Sequence, residues 1–204
     1  MLKETFIQLI STYTTDARLV NQLWQEIEDN YTHKKRYYHN LQHLESVLVL
    51  LHEIKERVNN WNTILFSVYY HDVVYNALKR NNEEKSAEFA KSRMQLIDAP
   101  ESVTENCVQQ ILATKDHLIC DDGDTNFFTD ADLSILGQQW NKYSEYYKHV
   151  RKEYALFPDL IYIPGRKKVL QHFLQMERIF KTDFFFNKFE LQAKENLQRE
   201  LEQL

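Results

Sequence analysis

His71 and Asp72 stand at the end of an apolar run, Ile64-Leu65-Phe66-Ser67-Val68-Tyr69-Tyr70. Such a run reads as buried helix, and ionisable groups carried in beside it are expensive to bury unless something compensates them. A divalent cation would compensate both at once. Upstream lie His39 and His43, and downstream lies Asp130-Ala131-Asp132. His43, His71, Asp72 and Asp132 are therefore candidate ligands of one metal site. Imidazole nitrogen and carboxylate oxygen together suit Mn, Fe, Zn or Mg. Adjacent helical residues diverge by about 100°, so His71 and Asp72 can approach an ion from two directions. The remaining ligands must then come from neighbouring helices.

His39 and His43 are four residues apart and share a face if both are helical. Both could then bind metal. Asn40, however, reads as a helix start, which would leave His39 outside the helix and free to face a substrate as an acid. The zincin motif is absent, because Asn40 stands where that motif needs its catalytic Glu. The Asp121-Asp122-Gly123-Asp124 stretch lacks the ligand spacing and terminal Glu of an EF-hand.

Helical periodicity dominates the elements that would position these residues. The pattern predicts helices from about Leu2 to Tyr13, from Asp16, and from Asn40 through Leu41, Leu44, Val47, Leu48, Leu51 and Ile54. A fourth follows Asn60 or Asn62 and delivers His71-Asp72 near its end. A fifth runs from about Glu83 to Leu96, and a sixth opens on a capping box at Ser102 and Glu105. Cys120 to Thr129 reads as the most loop-like stretch, with the next helix starting at about Ala131 and Asp132 near its beginning. Further helices are expected from Asn141, from Gly165 to about Phe180, and from Phe189 to the end. The last reads as a solvated surface helix packing one leucine stripe.

Composition agrees with an all-α fold. Three glycines and three prolines in 204 residues are few for turns and strands. Apolar residues at 43% suffice for one core, and the length fits one domain spanning residues 1–204. The net charge of −5 gives no basic footprint for stable nucleic-acid binding. Cys107 and Cys120 match no zinc or redox spacing and read as reduced thiols. No secretory signal and no apolar run near the ~20 residues of a membrane span are present. The expectation is a soluble cytoplasmic protein, with a homo-oligomer left open.

Each piece alone has a bland reading: a satisfied core histidine, a chance His-Asp dipeptide, a helix-capping Asp130. In combination they are more specific. The order His … His-Asp … Asp on helices resembles the HD superfamily of metal-dependent phosphohydrolases. Tyr38-His39-Asn40-Leu41-Gln42-His43 resembles the Tyr-His-Asn-x-x-His motif of cyclic nucleotide phosphodiesterases, a branch with the same core. Ile111-Leu112-Ala113-Thr114 and Ala131-Asp132-Leu133-Ser134 are similar to further pieces of that branch. The chain most resembles a small bacterial group of predicted HD phosphohydrolases. That group shares runs like Tyr38–Leu44, His71–Tyr75, Asn82–Ala87 and Asp130–Gly137. The likeness covers about residues 30–180. It departs from the phosphodiesterases in being much shorter and in lacking a recognisable purine clamp.

The resemblance implies an HD-type helical bundle with the metal between helices. It makes His43, His71, Asp72 and Asp132 the ligands of one or two divalent ions, with Asp72 able to bridge two. Asp132 is preferred because it precedes Leu133-Ser134, and Asp130 stays as an alternative or as a partner of the ligands. His39 becomes the proton donor to the leaving oxygen. The implied activity is hydrolysis of a phosphate ester or nucleotide by metal-activated water. From the residues themselves, Glu84 could accept from a ligand or simply open a helix. His117 could reach a second metal, and Lys115 and Arg166 could hold phosphate or remain solvated charges. Tyr37, Tyr38 and Tyr75 could stack on a base or pack in the core. The rival readings are a metal- and nucleotide-binding regulatory module without turnover, and a helical interaction protein without metal.

Overall fold

Short side-chain oxygens start several helices where the sequence places them. Asp16 accepts from the amides of Arg18 and Leu19, Asn40 from those of Gln42 and His43, and Asn60 from that of Thr63, each filling donors that a helix start leaves orphaned. The computed structural model describes residues 1–204. It is all-helical, with no strand. In chain order the helices are α1 (Leu2–Ser11), α2 (Ala17–Tyr31), α3 (Leu41–Glu53), α4 (Trp61–Tyr70) and α5 (Asn82–Leu96). There follow α6 (Glu101–Ala113), α7 (Gly123–Leu133), α8 (Trp140–Glu153), α9 (Asp159–Gln175) and α10 (Asp183–Gln203). A short 3-10 turn, Ser134–Gly137, joins α7 to α8. No helix is long and apolar enough to cross a membrane.

α4 is the centre of the arrangement. Every residue from Thr63 to Tyr70 is buried, and the helix packs on α1, α3, α5, α6 and α7. A helix that is apolar all round has no solvent face to offer. Burying side chains such as Ile64, Leu65, Phe66 and Val68 stabilises by about 1.5–3 kcal/mol each. That burial holds the end of α4, and hence His71, at the edge of the core despite the cost of the polar groups there.

Four stretches differ from the sequence expectation. Residues 123–129 are helix, so α7 begins eight residues before Ala131 and Asp132 lies in its last turn. The acidic cluster that looked like a loop is a set of caps. Asp122 accepts from the Thr125 amide at 3.0 Å. Asp124, buried, accepts from the Asn59 amide at 2.9 Å and the Asn60 amide at 2.7 Å, ahead of α4. The predicted capping box is not used: Pro100 precedes α6 and no side chain caps it. α9 starts at Asp159, carries Pro164 inside it and ends at Gln175. α10 starts at Asp183 and is not a solvated helix with one apolar stripe. It buries Phe185, Phe189, Ala193 and Leu197 together with Glu190, Asn196 and Glu200.

Those buried polar groups are partnered, as burial requires. Glu190 accepts from the amides of Ile179 and Phe180. Asn196 donates to the carbonyls of Leu136 and Gln138 at 2.8 and 2.7 Å. This brings α10 against the 3-10 turn so closely that a Cβ on Gly137 would lie 2.5 Å from Phe189 Cβ and 2.6 Å from its carbonyl oxygen. Both are held by α10, so they cannot swing away. Gly137→Ala should therefore cost about 1–3 kcal/mol through overpacking. A thermal melt should read this as a lower Tm, by roughly 2–4 °C per kcal/mol in a chain of this size. An unchanged Tm would show that the turn and α10 separate easily.

Candidate metal centre

The Asn40 cap fixes where α3 begins, and so places His43 inside its first turn, with His39 outside the helix. His71 follows the last residue of α4 and still donates its amide to Ser67, at 2.9 Å. Asp72 leaves the helix, and its amide donates to the Tyr31 hydroxyl at 3.1 Å. Arg36 ties the two segments together. Its guanidinium donates to the Asp72 carbonyl at 2.6 Å, to Val73 at 2.8 Å and to His39 at 3.2 Å. α7 supplies Asp132.

These elements bring four of the sequence-predicted residues to one point between α3, α4 and α7. His43 Nε2 lies 3.2 Å from His71 Nε2 and 3.1 Å from Asp132 Oδ1. His71 Nε2 is 3.5 Å from the same Asp132 oxygen and 3.3 Å from Asp72 Oδ2. Asp72 Oδ2 is 3.9 Å from His43 Nε2. One ligand atom from each of His43, His71 and Asp132 falls within a 4.8 Å span. Two atoms each about 2.1 Å from a common ion stand about 3.0 Å apart at a right angle and about 3.4 Å apart at the tetrahedral angle. The spacings among His43, His71 and Asp132, and that from His71 to Asp72, lie at or within 0.1 Å of that range, whereas the 3.9 Å from Asp72 to His43 is wider.

The tautomer fits as well. His71 Nδ1 faces the Val68 carbonyl at 3.0 Å; a carbonyl can only accept, so Nδ1 carries the hydrogen and Nε2 offers its lone pair. Ligand histidines are commonly oriented in this way. His43 and His71 are buried, and Asp72 and Asp132 are half-buried. For His71, burial pushes the pKa down, but Asp72 and Asp132 more than offset this and raise it well above the usual imidazole value. For Asp132, burial pushes up, while hydrogen bonds from His117, His43 and His71 hold the carboxyl well below the usual range. Asp72 is likewise held down against burial by the charges of His71 and His39. The two carboxylates thus favour positive charge at the centre of the cluster. The donor set suits a divalent ion.

The structure separates the two aspartates of the acidic cluster. Two residues apart on a helix, they point about 200° away from each other. Asp130 is fully buried on the other side. It accepts from the amides of Lys181 and Thr182 and from the Thr182 hydroxyl, and pairs with the Lys181 ammonium at 3.0 Å. It anchors the segment before α10 and takes no part in the histidine cluster. His117 arrives through Asp132, with Nε2 at 3.1 Å from Oδ2. Its backbone is left-handed at φ 52°, a conformation uncommon for a residue with a Cβ. Glu84 and Lys115 pair with each other, so Glu84 does not bond to a ligand histidine. Arg166 is buried against Glu200 rather than solvated.

Three contributors carried no signal in the sequence. Glu153 ends α8 in the run Arg151-Lys152-Glu153, which looks like a solvated helix end. Its Oε1 accepts from the amides of Tyr38 and His39 at 2.7 and 3.1 Å. Its Oε2 meets His39 Nδ1 at 2.6 Å and accepts from the Tyr75 hydroxyl at 3.0 Å. Tyr75 also stacks on the His39 ring, centroids 4.1 Å apart. Burial lowers the His39 pKa, but Asp72, Glu153 and Asp132 outweigh it and the net shift is upward. Arg36 and Tyr31 are the other two. Beside the cluster opens a cleft of about 670 Å³ lined by His39, Asp72, Tyr75, Lys115 and Arg166 among others. A second hollow of about 690 Å³ shares Tyr38, His43, Asp132 and Tyr146 with it.

A bound ion should stabilise the fold by mass action, about 2.7 kcal/mol at a hundred times its Kd. Adding Mn, Zn or Fe to metal-free protein should raise Tm. His71→Ala should abolish the rise, whereas Asp130→Ala should lower Tm throughout yet keep the rise. Elemental analysis of the same samples checks the occupancy; a rise that survives His71→Ala would move the ion elsewhere. Compared with protein-family models, with curated proteins and with solved structures, the chain matches none.

Proposed function

We propose that this protein is a metal-dependent phosphohydrolase of the HD superfamily, cleaving a phosphate ester or nucleotide in the cytoplasm. The observation that carries the reading is His39 on Glu153, placed at the same cleft as a cation-seeking His/His/Asp cluster. A metal that only braced a fold would need no acid beside it. The order of motifs from Tyr38 to Ser134, which resembles that superfamily, supports the same reading.

His43, His71, Asp72 and Asp132 would hold one divalent ion, Mn, Fe, Mg or Zn. His117 with Asp132 Oδ2, 3.1 Å apart, offers donors for a second. Such an ion supplies Lewis acidity, neutralising phosphoryl charge and making water nucleophilic at neutral pH. The rest is the work of the chain. Glu153, ionised, can only accept, so the hydrogen on the His39–Glu153 bond belongs to Nδ1. That leaves Nε2 as the nitrogen able to donate to a leaving oxygen. The carboxylate favours the protonated ring, which is the form an acid needs. Lys79, Arg80 and Lys115 line the same cleft and favour an anionic substrate.

A panel of nucleotides and phosphate esters with added metal tests the reading. Wild type should turn over at least one, and Asp72→Ala none; equal inactivity of both on every compound would sink the enzymatic claim. His39→Ala should keep its metal and lose about 10²–10⁴ in kcat. Glu153→Gln removes one of the charges that raise His39, so its folded pKa falls. Because the protonated ring is the active form, activity disappears as pH rises through that pKa. The alkaline limb of the kcat profile should therefore move to lower pH in Glu153→Gln. A limb that stays in place would remove His39 from the acid role.

A further inference from the structure

α9 has few anchors, since only Arg166 and Leu170 of its residues are buried. Arg166 is 8% exposed and meets Glu200 of α10 edge-on. Nε lies 2.7 Å from Oε1 and Nη2 lies 2.8 Å from Oε2. Glu200 is itself 2% exposed and also accepts from the Tyr143 hydroxyl. A guanidinium has five N–H donors, and this pairing uses one edge of it. Nη1 makes no hydrogen bond within the chain and is not sealed from solvent. Arg166 lines the cleft that contains His39, Asp72 and Asp132, whereas Glu200 does not. The Tyr146 ring, another wall of that cleft, lies 5.5 Å from the guanidinium carbon.

Arg166 thus keeps an unused, solvent-accessible donor while lining the cleft, which a role in joining two helices alone does not require. Glu200 and Tyr143 fix the orientation of the fork, so the free edge is presented without a loss of side-chain freedom on binding. Lys79 and Arg80 on the same walls add positive charge, while Lys115 is paired with Glu84. Oxyanions of phosphate are what such an edge recognises best.

We infer that Arg166 binds a second phosphate of the substrate, through Nη1, while Glu200 and Tyr143 position it. The substrate class is then a compound with two linked phosphates, such as a nucleoside diphosphate. The inference rests on the proposed phosphohydrolase site only for the place of the first phosphoryl group. Arg166 contacts substrate, and Glu200 is a positioning residue that acts through it.

The test compares AMP with ADP by titration calorimetry on the full-length protein, both metal-free and loaded with Mn. Wild type should bind ADP at least tenfold more tightly than AMP. Removing one partner of a buried ion pair strands the other charge, so single neutral variants are uninformative. The pair Arg166→Met with Glu200→Leu removes both charges, a change that folds tolerate. In that variant the ADP preference should fall to within twofold. If it fails to fold by circular dichroism, Arg166→Lys keeps the charge but not the planar fork and should cut the preference at least threefold. Equal AMP and ADP affinity in wild type, or a preference that survives the substitutions, would overturn the inference. Metal content and turnover of the same samples decide the phosphohydrolase reading separately. A protein without metal or turnover that still prefers ADP through Arg166 would retain this site and lose that activity.

Discussion

Two imidazoles and two carboxylates converge at one poorly solvated point, and the surrounding structure is arranged around the cost of keeping them there. Four such groups cannot all be charged, or all neutral, without penalty. Three of the four are therefore tied to the chain outside the cluster. Val68 receives the outer nitrogen of His71, Tyr31 receives the amide of Asp72, and His117 meets the outer oxygen of Asp132. Arg36 spans His39, Asp72 and Val73 through their carbonyls. The apolar burial of α4 drives the assembly, and these polar contacts set its geometry. Neither suffices alone: burial has no direction, and hydrogen bonds contribute only about 1 kcal/mol each net.

The parts that sequence made readable are those governed by local chemistry. A fully apolar run with polar termini announced α4, and the Asn40 cap announced both α3 and the exclusion of His39 from it. His71 and Asp72 stood out because their types are costly beside an apolar helix, and His43 and Asp132 through the order of the motifs and the resemblance it carries. The parts that were hidden depend on distant partners. Asp122 and Asp124 looked like a loop because nothing in their neighbourhood says that Asp124 caps residues 59 and 60. The resemblance preferred Asp132 over Asp130, but only the helix, by placing them on opposite sides, gives the physical reason. Glu153 is separated from His39 by more than a hundred residues and sits among charges that normally face water.

The same lesson holds for α10. Its Glu, Gln and Lys content suggested solvent on all but one face, yet Glu190, Asn196 and Glu200 are turned inward. Each satisfies a backbone or a cation that the turn at Ser134–Gly137, the segment at 179–180, or α9 would otherwise leave unpaired. Polarity in a sequence does not say whether the partner is water or protein.

Glu153 uses two acceptor positions on each oxygen, for two amides, an imidazole and a phenol. With its capacity filled, it is at once a clasp for the chain at Tyr38–His39 and the counter-ion of the ring beside the His/His/Asp cluster. Those two duties cannot be inherited separately. Among relatives of this chain, a change at position 153 should be accompanied by a change at 39, and the stretch around 38–40 should drift only where both have already gone.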